Sequence, residues 1–142
     1  MLRNSIFKPT IRNYAFTQPG AGLDINNTYN DPRRWRLLQL RIDLTTDATA
    51  IARKILVQCA SSAGLFIFPA AADHTASLTY SHIWILNWTG GTRLTNGFVF
   101  HPLPQDIIMH HNKIFQTAIE NIQLADQIQP QSGFIVEEIL QE

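Results

Sequence analysis

The sequence predicts an all-β protein: an antiparallel β-sandwich of jelly-roll-like form behind an extended N-terminal arm. Three observations predict it. Apolar and polar residues alternate with a period of two from Trp35 onward. The apolar segments are short and separated by turn residues. The first 34 residues are dense in Pro, Gly and Asn, which break regular elements. The division expected is an arm over residues 1–34 and a β-sandwich domain over residues 35–142.

Leu38-Gln39-Leu40-Arg41-Ile42-Asp43-Leu44-Thr45 alternates strictly and reads as a half-buried strand. Ile55, Val57 and Cys59 alternate with Lys54 and Gln58 in a second strand. Gly64 to Phe68 is a short apolar run stopped by Pro69. Leu78 to His82 alternates and leads into Ile83 to Trp88, and Gly90-Gly91 offers a tight turn before Phe98-Val99-Phe100. Lys113 to Leu124 alternates again, and Phe134 to Leu140 closes the chain. Helix competes over Asp47 to Val57 and over Phe115 to Ile128. β-Branched residues recur in both and strands flank them, so strand is the expectation. The resulting seven or eight strands, spaced by about 10–15 residues, suit a sandwich.

The 142 residues suffice for one domain. Eleven Lys+Arg balance eleven Asp+Glu, and charged residues make up only 15% of the chain. That neutrality argues against a nucleic-acid partner, which calls for a basic excess. No apolar run approaches the roughly 20 residues that span a bilayer, so no membrane partner is expected. One Cys excludes an intramolecular disulfide, and Met1 to Phe16 lacks the apolar core of a secretory signal. The charge is unevenly placed, however. Residues 1–36 carry six cations against two acids and residues 37–142 five against nine, giving +4 and −4.

The arm is not a polar linker, since aromatics are spaced along it among its cations. Arg3, Phe7, Lys8, Arg12, Tyr14, Phe16, Tyr29, Arg33 and Arg34 are the candidate partner-binding residues. The aromatics would supply burial and the guanidinium groups would pair with an acidic surface.

Catalytic and cofactor chemistry finds little support. Cys59 shares the apolar register of Ile55 and Val57 and reads as core, and no G-x-S-x-G elbow is present. Glu137 and Glu138 are adjacent in a strand, point to opposite faces, and read as solvated charges at a sheet edge. A metal site from His101, Asp106 and one of His110-His111 is conceivable, but adjacent extended residues diverge. His74 reads as incidental and His82 as a half-buried, hydrogen-bonded imidazole. Pro19-Gly20-Ala21-Gly22 lacks the strand and helix of a dinucleotide fingerprint. Asn26-Asn27-Thr28 and Asn87-Trp88-Thr89 match the glycosylation pattern only by accident. No enzyme and no cofactor are expected. Tyr80, Trp84 and Trp88 share a strand face by parity. They suit core packing, or the stacking platform of a carbohydrate- or receptor-binding module.

Arg34-Trp35-Arg36-Leu37-Leu38-Gln39-Leu40-Arg41-Ile42-Asp43-Leu44-Thr45-Thr46-Asp47-Ala48-Thr49 resembles the opening of small β-sandwich virion proteins of tailed phages. Arg53 to Gln58 fits their second strand. Asn121 to Ile128 with Ile135-Val136-Glu137-Glu138 resembles their closing hairpin. The resemblance covers roughly residues 34–142 and implies a capsid decoration (cement) protein. It further implies a homo-oligomer, commonly a trimer, tied by an arm to the major capsid protein. The location implied is the outer capsid surface, after assembly in the host cytoplasm.

Overall fold

The computed structural model describes residues 9–70, 73–90, 93–95, 97–103 and 105–139. Among these residues twelve strands follow in chain order. They are β1 (Thr10–Ala15), β2 (Asn26–Tyr29), β3 (Arg34–Thr45), β4 (Lys54–Ser61), β5 (Gly64–Pro69), β6 (Thr79–Ile85), β7 (Arg93–Thr95), β8 (Phe98–Pro102), β9 (Ile108–Met109), β10 (Lys113–Glu120), β11 (Gln127–Ile128) and β12 (Gly133–Ile139).

They form two sheets of a sandwich-like all-β fold. One sheet runs β1-β12-β3-β6-β8-β7, with short β9 and β11 also paired to β3; the other runs β2-β10-β4-β5. Neighbours are antiparallel except β6 and β8, which are parallel. β3 organises the larger sheet. One edge takes β12 and then β11, and the other takes β9 and then β6. The inward residues meet in one core that includes Trp35, Leu37, Leu40, Ile42, Ile55, Val57, Cys59, Trp84, Phe115 and Phe134. Cys59 is thus core, and burial pushes its thiol up to about 12.

The strands predicted over 38–45, 54–59 and 64–69 form. No helix occurs over Asp47 to Ala52 or within Phe115 to Ile128. Two strands end earlier than the alternation suggests. β10 stops at Glu120 because Asn121 takes a left-handed φ of 62°, and β6 stops at Ile85 because Asn87 takes 60°. Gly91 and Leu140 lie outside the described residues.

The arm needs correction over residues 9–34, which are built into the sandwich. Six residues of β1 pair with β12, from Thr10 opposite Glu138 to Ala15 opposite Gly133. β2 pairs with β10. Phe16 and Ile25 are buried, and Tyr14 and Tyr29 pack on the core. Between the strands, Phe16 N donates to Ser132 O at 2.9 Å and Gly22 N to Asp126 O at 2.7 Å. The physical reason is β-pairing itself. Pro, Gly and Asn divide this segment into pieces, yet each piece still finds an open sheet edge for its backbone. Gly133 shows how close the approach is, because a Cβ there would collide with Tyr14 O.

Candidate interaction surface

The charge imbalance is largely resolved within the molecule. Arg33 Nη1 donates to Glu138 Oε2 at 2.7 Å, and Arg12 Nε lies 3.5 Å from the same oxygen. Tyr14 Oη donates to Glu138 Oε1 at 2.5 Å. Burial, and after it the Glu138 carboxylate, pushes the Tyr14 hydroxyl up to about 12. The two guanidinium groups and the tyrosine hold Glu138 below its ordinary value against its own burial. Arg36 pairs with Asp106 at 3.0 Å and with Glu137 at 3.8 Å. Basic N-terminal residues thus meet an acidic surface, as the charge split suggests, but that surface belongs to their own chain.

Of the nine predicted partner-binding residues, Arg3, Phe7 and Lys8 lie outside the described residues. Arg12, Tyr14, Phe16, Tyr29 and Arg33 are used by the fold as described. Arg34 has its Nε buried with no hydrogen-bond partner among the described residues. The reading of Glu138 as a solvated edge charge is also corrected. β1 covers the edge of β12, so Glu138 is buried while Glu137 is partly exposed.

A second correction concerns the histidines. His74, His82 and His101 are all buried and form a chain. His74 Nδ1 is 3.1 Å from His82 Nε2, and His82 Nδ1 is 3.2 Å from His101 Nε2. His74 Nε2 sits 3.0 Å from Leu78 O, which can only accept, so that nitrogen carries the proton. With neutral rings the rest follows: His82 Nε2 donates to His74 and His101 Nε2 donates to His82. Desolvation pushes His82 down to about 3 and His101 down to about 4, and it lowers His74 as well.

Next to this chain, fully buried Arg53 bridges two carboxylates. Its Nε and Nη2 each donate to Asp126 at 2.9 Å, and Nη2 donates to Asp47 at 2.6 Å. Sequence reading missed this cluster because Asp126, its central carboxylate, lies 73 positions from Arg53. The metal candidate is not assembled, since His101 is bonded to His82 and Asp106 to Arg36. Among the described residues no group of three or more His, Cys, Asp or Glu could hold a metal ion.

The Tyr80–Trp84–Trp88 stripe is divided. Trp84 is buried, with its ring 4.8 Å from that of His101 and 5.9 Å from that of Phe68. Trp88 lies beyond the end of β6 and stacks on Phe100 at 5.3 Å.

What remains open is the outer face of the four-stranded sheet. Its register sets Leu65, Ala60, Ile114 and Thr28 in one row and Ile67, Gln58, Gln116 and Asn26 in the next. A third row holds Pro69, Leu56 and Ala118. None of these residues is ionisable, and Leu65 and Ile67 are 58% and 51% exposed. Charge returns only in the last row, where Lys54 stands opposite Glu120. There Leu56, Pro69 and Ala118 line an open groove bordered by Asp24, Lys54 and Glu120. A broad face of aliphatic and amide groups lacks the charges that ordinarily keep a sheet surface solvated, and it suits contact with another protein.

No helix of the described residues is long and apolar enough to cross a membrane. No family model, no curated protein and no solved structure matches the chain.

Proposed function

We propose that this chain is a virion structural protein of the capsid decoration type, bound to the major capsid protein on the outer head surface and associated with copies of itself. The observation that carries this reading is the strand order. Among the strands, β1 to β6, β10 and β12 form a set of eight in chain order. The first, eighth, third and sixth of them follow one another in one sheet, and the second, seventh, fourth and fifth in the other. That order supports a jelly roll of two Greek keys, an architecture widely used in viral shells. β7, β8, β9 and β11 are additions to the larger sheet.

Fold does not by itself give function, because lectins and cupins use the same roll. Against the glycan-binding alternative, Trp84 lies in the core, which leaves Trp88, Phe100 and Phe98 as the stacked rings near the surface, two of them outside the predicted stripe. In favour of a shell role, the outer face of the β2-β10-β4-β5 sheet carries three rows without an ionisable side chain, with Leu65 and Ile67 exposed on it. Arg3, Phe7 and Lys8 keep their proposed capsid contact. The role proposed for the rest of the arm passes to this face.

Mass spectrometry of purified particles from the virus that encodes the chain is the test, followed by cryo-EM of the head. The protein should be present in many copies, with a roll-shaped density on the outside of the shell. Particles that lack it, or carry it only on a tail tip, overturn the reading.

A further inference from the structure

We infer that β5 is a self-association edge, joining two copies of the chain about a twofold axis through antiparallel β5–β5 pairing. This goes beyond the virion reading and does not depend on it.

β5 ends the order β2-β10-β4-β5, and its sheet partner among the described residues is β4 alone. Exposed edges are normally blunted with charge, bulges or covering segments. Here the sequence from Ile55 to Ala72 holds no charged residue, and β5 pairs with β4 without a register shift. An open row of backbone donors and acceptors selects a strand as its occupant.

The features of β5 favour a second copy as the source of that strand. Ser61 and Gly64 close the β4–β5 hairpin over a two-residue loop. By the alternation of an antiparallel ladder, Leu65 and Ile67 then turn their N–H and C=O groups to the open edge. Pro69 has no N–H and ends any pairing, which leaves Gly64 to Phe68. That stretch is symmetric about Phe66. Paired with itself, it sets Leu65 opposite Ile67 of the second copy, and the reverse, so the two exposed aliphatic side chains of each copy cover those of the other. With no charge along the strand, no acidic or basic partner gains an advantage, whereas self-pairing opposes no like charges. The product is one continuous sheet with a doubled neutral outer face.

Two short edges bury less than the roughly 1,200–2,000 Å² of a standard interface, so the dimer forms at high concentration, as on a crowded surface. Sedimentation of the full chain from about 10 to 500 µM should show a monomer–dimer equilibrium. Ile67→Lys and, separately, Leu65→Lys should each weaken dimerisation at least tenfold, with an unchanged circular dichroism spectrum because both sites are solvent-facing. Hydrogen exchange at the Leu65 and Ile67 amides should slow as concentration rises, while the β4-bonded amides of Phe66 and Phe68 stay constant. A wild-type chain that is monomeric throughout, or an oligomer indifferent to both lysines (a threefold assembly through other surfaces included), overturns the inference.

Discussion

Mild acid should destabilise this protein through His74, His82 and His101. Each neutral ring in the chain donates through Nε2, and His74 and His82 accept through Nδ1. A proton added to either of those two Nδ1 atoms faces a neighbour's N–H, so a bond becomes a repulsion. The surrounding charges give little relief. Asp126 favours the charged form of His74, but Arg53 opposes it, and His82 is flanked by the other two imidazoles. Trp84 and Tyr80 supply only ring surfaces. Because the folded values lie below the ordinary 6.5, the folded state binds fewer protons than the unfolded state. The contribution is complete above the unfolded value and is lost as pH falls toward the folded ones. Between pH 7 and pH 5 an unfolded imidazole gains about 2 kcal/mol from proton binding, while groups near 3 and 4 gain almost nothing. His82 and His101 together therefore remove about 4 kcal/mol, and His74 adds to it in the same direction. A domain stabilised by roughly 5–15 kcal/mol feels that strongly. The depressed carboxyls of Asp126 and Glu138 act in still stronger acid, outside this window. Urea unfolding followed by tryptophan fluorescence at pH 7, 6 and 5 reads the effect. In His82→Gln the amide keeps one donor and one acceptor without titrating, and it should remove roughly half of the pH-dependent loss. Equal stability at pH 7 and pH 5, or a Gln variant with the wild-type slope, refutes the reasoning.

Deleting residues 1–34 removes β1 and β2 with Phe16 and Ile25, so the remainder should lose its cooperative thermal transition in calorimetry rather than persist as a folded body. Arg53→Met strands the buried Asp126 carboxylate and should cost about 3–5 kcal/mol in denaturant titration. Trp84→Ala empties a core site between Phe68 and His101 and should lower stability by about 3–5 kcal/mol, while any glycan binding on an array stays as in wild type.

β3 and β4 could be read from the sequence because each has one face in the core, which imposes period two, whereas β5 and β12 show as short apolar-rich segments bounded by Gly and Pro. β1 and β2 could not. β1 is an edge strand with most of its side chains in solvent, and β2 is only four residues long. What holds both is backbone pairing to strands about a hundred residues away, which side-chain pattern does not identify. The parity signal was present in part: Tyr14 and Phe16, and Ile25 with Tyr29, fall on the inward side. The same distance in sequence concealed the polar interior. Arg53 meets Asp126 across 73 positions and Tyr14 meets Glu138 across 124. The histidine chain was closer to legible, since His82 continues the register of Tyr80 and Trp84, and His101 that of Val99. Placing both inside still required knowing that β6 and β8 are parallel neighbours, with His82 opposite Val99 and His101 opposite Trp84, two residues further along.

The central claim is that residues 10–29 are built into the two sheets rather than forming a tether, and amide exchange followed by NMR tests it directly. Phe16, Gly22 and Ile25 donate to Ser132, Asp126 and Thr117, so their amides should exchange as slowly as those of β10 and β12. Exchange of all three at the rate of an unstructured peptide, with β10 and β12 still protected, contradicts it.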